Sequence, residues 1–327
     1  MEKQKNFLQH AIKNNTLLPI EDEMLTHVCA SIKNRISKEV SSKQKLDSEI
    51  MADTYLLLID KQPYYLKINL SPEVPNFWRE LCVNNFDFHP KIIDYSFDEE
   101  FKYFCYEVPI GMLAADISNY PLHPSFDLQK AFSQLLKKTH LTKLKSEDET
   151  VSIFNSFLPP ETLSIYDTFP VVELFSTLRL LFKQTYKSNP DLLGLCHFDI
   201  SLDNLILSRK EFKLINFEYA ANGNTYLDLL LARENLNVSE ESFDSFLRCH
   251  GLYRSDYRDY VDASYMFNFA YFNSKIVSEY MTFGVSNPIK LKNWINKSSF
   301  YYEKLATKLF VSKTIDKKIR NLYYLWR

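Results

Sequence analysis

The sequence predicts an α+β chain, a small antiparallel-sheet N-terminal lobe followed by a larger helical lobe. Three observations predict it. Between residues 36 and 108, short runs rich in apolar, aromatic and β-branched residues are broken by turn formers, as strands are. Beyond that stretch the apolar spacing changes to three and four, the signature of helices. Between the two textures, Glu107–Gly111 (EVPIG) combines proline and glycine, as a hinge requires. The expected organisation is a helical segment over 1–35, an N-lobe over 36–108 and a helical C-lobe over 109–327.

Taken in order, Phe7, Leu8 and Ile12 predict a helix over 2–15, and Met24, Leu25, Val28 and Ile32 predict another over 21–34. Thr54–Asp60 and Tyr64–Asn69, joined by a short Lys-Gln-Pro turn, read as a hairpin. Pro72 and Pro75 break the chain before a helix over 76–85. Ile92–Tyr95 and Tyr103–Val108 complete a five-stranded sheet. In the C-lobe, helices are expected over 128–140, 171–187 and 258–282, with a hairpin from Asn204–Ser208 and Phe212–Phe217.

The chain has 327 residues with a formal net charge of −2, a balance that favours neither nucleic acid nor an anionic membrane as partner. Its five cysteines are scattered without CxxC spacing, which argues against a disulfide framework or a zinc site and for a reducing, cytoplasmic setting. The polar start of the sequence lacks the apolar core of a signal peptide, and no apolar run is long enough to span a bilayer. The oligomeric state is not legible.

Chemistry concentrates in Cys196–Leu229, which contains His197-x-Asp199-x4-Asn204, a hydrophobic hairpin, and then Ile215-Asn216-Phe217-Glu218-Tyr219. Phosphoryl transfer needs a carboxylate to orient the attacking hydroxyl and oxygen ligands to hold magnesium against the phosphates. A loop bearing Asp and, five residues later, Asn places both near one phosphate, and the hairpin returns the chain to deliver position 216. As a loop Asp and Asn, Asp199 and Asn204 equally suit turn hydrogen bonds. Lys67 on its alternating strand is by default solvated, and an inward-facing lysine needs a partner.

These residues resemble the choline/ethanolamine kinase and aminoglycoside phosphotransferase superfamily, whose members carry HxDxxxxN followed by an I-D-F/W motif. Phe217-Glu218-Tyr219-Ala220 is similar to the choline kinase branch, and Gly223–Leu229 (GNTYLDL) to the superfamily's G…DLA segment. Tyr64–Ile68 resembles the strand carrying the phosphate-binding lysine, and Phe88–Ile93 the stretch before the hinge. The resemblance touches residues 36–235 at discrete points. It implies a bilobal protein-kinase-like fold, ATP and Mg2+ as cofactors, and a small-molecule acceptor. By the same resemblance Asp199 is the catalytic base, and Asn204 and Asn216 hold the metal. Lys67 contacts the phosphates, oriented by Glu80, and backbone groups at Glu107 and Val108 receive adenine. His197 and Asp228 are structural braces of the loop.

For the acceptor, Glu218, Tyr265 and Trp294 are the candidates, because a quaternary ammonium is held by aromatic faces and carboxylates. The run Tyr260–Phe272 otherwise reads as core, and the basic tail (Lys313, Lys317, Lys318, Arg320, Arg327) as a solvated helix. The expected activity is ATP-dependent phosphorylation of a small hydroxyl compound, choline or a related amino-alcohol first. Two features depart from the pattern. Position 216 is Asn where family members have Asp, and no glycine precedes Gly111, so Glu39–Ile50 is a glycine-free phosphate-covering loop. They motivate an alternative, a kinase-shaped binding module with impaired catalysis. An aminoglycoside-type phosphotransferase is the third reading, and it expects an acidic acceptor groove in place of an aromatic one.

Overall fold

A computed structural model describes residues 23–48, 52–69, 76–97, 102–108, 112–113, 128–144, 146–158, 172–208, 211–236, 238, 243–244, 247–248, 250–252, 260–282, 288–306, 316–317 and 320. The helix expected over 2–15 and residues 109–111 of the hinge lie outside them. The chain forms two compact units, one of residues 1–139 with 199–220, the other of residues 140–198 with 221–327.

In the first unit, helix α1 (Glu23–Ile36) precedes strands β1 (Val40–Ser48), β2 (Ala52–Ile59) and β3 (Gln62–Asn69), helix α2 (Asn76–Asn84), and strands β4 (Ile92–Ser96) and β5 (Tyr103–Glu107). The strands make one antiparallel sheet in the order β1-β2-β3-β5-β4. Its two faces follow from the two periods. Leu25, Val28, Cys29 and Ile32, three or four residues apart on α1, meet Tyr55, Leu57, Ile59, Leu66, Ile68, Tyr103 and Cys105, every second residue of their strands. The residues between them point the other way, so Lys67, paired in register with Phe104, belongs to the opposite face. Helix α2 covers that face, with Trp78 edge-on to Phe104 at 4.7 Å.

Of the Glu39–Ile50 stretch that the sequence suggests is a loop, residues 49–50 lie outside the described residues and most of the rest is strand. Residues 40–48 form β1, an edge strand, where polar residues are at home, and its pairing to β2 shifts register between Val40 and Ser42 and between Lys45 and Asp47. The same unit contains β6 (Met112–Leu113), most of helix α3 (Leu128–Leu141) and the antiparallel ladder of β8 (Leu205–Ser208) with β9 (Glu211–Leu214). Thus the compact units do not follow the single break at residue 108. The hairpin is tied to the sheet's own connection: Leu214 N donates to Phe88 O at 2.7 Å, and Phe217 packs on Phe77, Phe88 and His89.

The second unit is helical around a two-stranded ladder, β7 (Leu193–Cys196) with β10 (Ala221–Asn224). Its helices are α4 (Thr150–Phe157), α5 (Val172–Thr185), α6 (Thr225–Leu236), α7 (Val261–Thr282) and α8 (Pro288–Ala306); α4 packs on β10, α6 on β7, and α7 against the other four helices. The aromatic run is core, as expected: Phe267 meets Phe154, Phe157, Phe182 and Phe198, and Phe154 stacks on Phe182 at 3.9 Å. Gly194 and Gly223 oppose each other in the ladder. A Cβ at 194 would fall 2.1 Å from His140 O, and one at 223 would fall 2.6 Å from the Phe198 ring, so both positions demand glycine. Of the basic tail, Lys317 and Arg320 are described, and Arg320 is exposed and ion-paired with Asp316 and Glu303. No described helix is long and apolar enough to cross a membrane.

Candidate active site

The loop after β7 is shaped by one buried carboxylate of the second unit. Asp228, in the first turn of α6, accepts from His197 N at 3.1 Å and Phe198 N at 2.7 Å, and its Oδ2 lies 2.9 Å from His140 Nε2. Phe198 has φ +56°, a left-handed backbone that a bulky residue adopts only when its surroundings impose it. The Asp228 acceptor and the packing of its ring on Phe267 impose it here. His197 is wholly buried, and the brace contact it makes with Asp228 is through its main chain.

His140 carries no local signal of this brace, because it lies 88 residues from Asp228. His140, Cys196 and Asp228 bring ligand-type atoms within 4.8 Å of one another. Burial pushes the Cys196 thiol well up, and the nearby Asp228 and Asp148 push it further, while the Asp228 carboxylate already serves two amides and an imidazole. The cluster therefore reads as a hydrogen-bonded brace.

In the first unit Asp199, Asn204 and Asn216 come together through two side-chain bonds. Asn204 Nδ2 donates to the main-chain O of Asp199 at 2.7 Å, and Asn216 Nδ2 donates to Asn204 Oδ1 at 2.8 Å. Ile215 N also donates to Asn204 O at 3.0 Å, which locks the end of β9 onto the loop. Asp199 and Asn204 are buried, at 6% and 5% exposure, and Asn216 is half-buried. Asn216 has φ +64°, a conformation that asparagine tolerates better than most residues. The amide orientations are set by logic. A backbone carbonyl can only accept, so Asn204 presents Nδ2 to Asp199 and Oδ1 to residue 216, which must then offer its Nδ2.

Lys67 is 1% exposed and forms an ion pair with Glu218, itself 8% exposed. The expected partner was Glu80, and here the structure corrects the sequence. On α2 the buried positions are Phe77, Trp78, Leu81 and Cys82, so helical spacing turns Glu80 to solvent, where its carboxylate accepts from Asn84 Nδ2 at 2.9 Å. Glu218, 151 residues from Lys67, takes its place beneath the sheet. At the adenine candidates, Glu107 N donates to Lys91 O at 2.9 Å and Val108 N to Pro63 O at 3.3 Å, so both amides are committed within the unit.

The acceptor candidates divide between the units. Glu218 belongs to the first, beside Lys67. Tyr265, on α7, and Trp294, on α8, are half-buried in the second, and the Tyr265 ring lies 5.9 Å from Tyr301 of α8.

No protein-family model matches the sequence, and no curated protein matches it. Solved structures do match the fold. The choline kinase LicA from Streptococcus pneumoniae is similar with a TM-score of 0.58 at 16% identity, over 88% of this chain and all (100%) of LicA. A Plasmodium vivax ethanolamine kinase has a TM-score of 0.55 at 15% identity, over 97% of this chain and 96% of its own. The spectinomycin phosphotransferase APH(9)-Ia, in complex with ADP and spectinomycin, has a TM-score of 0.56 at 12% identity, over 92% of this chain and 98% of its own. With its five-stranded antiparallel sheet and helical C-terminal half, this chain has the bilobal, kinase-like fold of the choline/ethanolamine kinases and aminoglycoside phosphotransferases.

Proposed function

We propose that the protein is an ATP-dependent phosphotransferase acting on the hydroxyl of a small amino-alcohol, choline or ethanolamine first. The observation that carries the reading is the bonded chain Asp199–Asn204–Asn216, because it joins the three positions that the resemblance assigns to the reaction. The nucleotide complexes of structural neighbours support nucleotide binding, and LicA and the Plasmodium vivax ethanolamine kinase support the amino-alcohol.

In this reading Asp199 holds the acceptor hydroxyl and takes its proton. The acceptor oxygen forms a new bond to the γ-phosphorus as the bond to the leaving ADP oxygen breaks. Positioning supplies much of the effect, since an oriented pair escapes the entropy of a bimolecular encounter. Lys67 supplies positive charge to the phosphates, which then compete with Glu218 for its ammonium.

Magnesium is implied by the resemblance, and it does not fit these side chains as they stand. Hard divalent cations want several oxygen ligands. The atom that Asn216 turns towards Asn204 is a donor, and the facing lone pair of Asn204 Oδ1 already accepts from it. The same contact favours a second reading, a nucleotide-binding module without turnover.

Purified protein incubated with ATP and a panel of amino-alcohols, aminoglycosides and sugars separates the readings by mass spectrometry of the products. A phosphorylated amino-alcohol is expected, with Asp199→Asn slowing its formation by about 100-fold or more. Nucleotide binding with no product across the panel, unchanged in Asn216→Asp, would establish the second reading instead.

A further inference from the structure

We infer that the Asn204–Asn216 amide pair is a built-in substitute for a divalent cation, so that the site is braced without metal and becomes metal-dependent on the single change Asn216→Asp. The inference deepens the proposed function by naming how its reaction centre is held, and it rests on that reading only in taking this loop as the reaction centre.

Asn204 is fixed by the main-chain carbonyl of Asp199, at 2.7 Å, and cannot turn over without placing two oxygens against each other. Its Oδ1 therefore faces residue 216 whatever that residue is. With asparagine there, an N–H meets the oxygen at 2.8 Å and both groups are satisfied. With aspartate in the same rotamer, a carboxylate oxygen would stand at that distance from an amide oxygen, with no proton between them. Two oxygens so close need a cation or must separate.

The spacing itself suits a cation. Magnesium takes octahedral ligands at about 2.0–2.1 Å, so neighbouring ligands sit about 2.9 Å apart. The Asn204–Asn216 contact of 2.8 Å has this length. Backbone geometry is no obstacle, because aspartate, like asparagine, enters the left-handed region that position 216 occupies at φ +64°. The chain thus keeps the framework of a two-oxygen cation site, and exchanges one oxygen for an N–H that does the cation's bracing work. A half-buried neutral hydrogen bond replaces an ion and its coordinating charge.

The test is thermal unfolding of the full chain in chelator and in millimolar magnesium chloride, without nucleotide, for wild type, Asn216→Asp and Asn216→Ala. Wild type should melt at the same temperature in both media. Asn216→Asp should melt below wild type in chelator and rise by about 2 °C or more with magnesium, as a ligand that binds only the folded state requires. Asn216→Ala, with neither donor nor acceptor, should be lowered equally in both. If Asn216→Asp does not fold in chelator, it should fold when purified in magnesium and unfold on chelation. An Asn216→Asp variant indifferent to magnesium, or unfolded in both media, would overturn the inference, as would a wild type that magnesium stabilises as strongly. Failure to find a phosphorylated product leaves this melting pattern untouched, so the two proposals fail separately.

Discussion

Lys67–Glu218 and Asn204–Asn216 are two closures of the same unit, and they close it by opposite means. The first joins full charges that are almost completely buried, and the second joins neutral amides at a half-buried position. A buried ion pair has already lost its water, so removing one member takes away most of the charge that compensates the other. A neutral amide pair exchanges protein partners for water at little net cost. The contrast teaches that the first is a fixed part of the fold, while the second is a setting that one substitution can change. The Asp228 brace, in the second unit, is of the charged kind.

The largest expected effect is at the ion pair. Glu218→Gln should destabilise the protein by about 3–5 kcal/mol in urea unfolding, because it leaves a desolvated ammonium without Glu218's charge. The double variant Lys67→Met with Glu218→Leu should recover most of that loss. A Glu218→Gln variant as stable as wild type would break the contrast. Asp228→Asn comes next, at about 3 kcal/mol, since a carboxylate accepting from two amides beside an imidazole is replaced by a weaker acceptor carrying N–H groups. Asn216→Ala, by contrast, should cost only about 1–2 kcal/mol, a neutral bond plus the strain of alanine at positive φ.

The smallest effect sharpens the comparison by pH. Burial pushes the Asp148 carboxyl up, but hydrogen bonds from Ser188, Tyr186 and Thr150 outweigh it and hold it below its ordinary value of 3.8. Its folded pKa being the lower one, its contribution is complete above the unfolded value and is lost as pH falls through the folded value. Asp148→Asn should therefore lower stability at neutral pH by about 1 kcal/mol, and the gap to wild type should narrow below pH 3.8. A gap that stays constant from neutral pH down through that range would remove Asp148 from the charged class.

Much of the fold was legible because burial leaves a period in the sequence. The apolar run TYLLLID and the alternation in YYLKIN marked β2 and β3 and put Lys67 on a strand, and Leu25, Val28 and Ile32 marked the face of α1 that Cys29 completes. The meeting of positions 199, 204 and 216 was legible because HFDISLDN and INFEYA carry their spacing locally. What distance in sequence separates was not. Glu80 looked like the partner of Lys67 because it sits on the next helix, yet its phase on α2 faces water, and only the folded chain brings Glu218 across 151 residues. His140 was hidden from Asp228 in the same way. The strand β1 was read as a loop because an edge strand keeps polar residues such as Ser42, Lys43 and Gln44, which a buried strand does not.

The most direct measurement is a crystal structure of the full chain grown in chelator. The side-chain amides of residues 204 and 216 should lie in hydrogen-bond contact near 2.8 Å, with Asn204 also on the main chain of Asp199. Density placing the two amides out of hydrogen-bond reach, each bonded elsewhere, would contradict it.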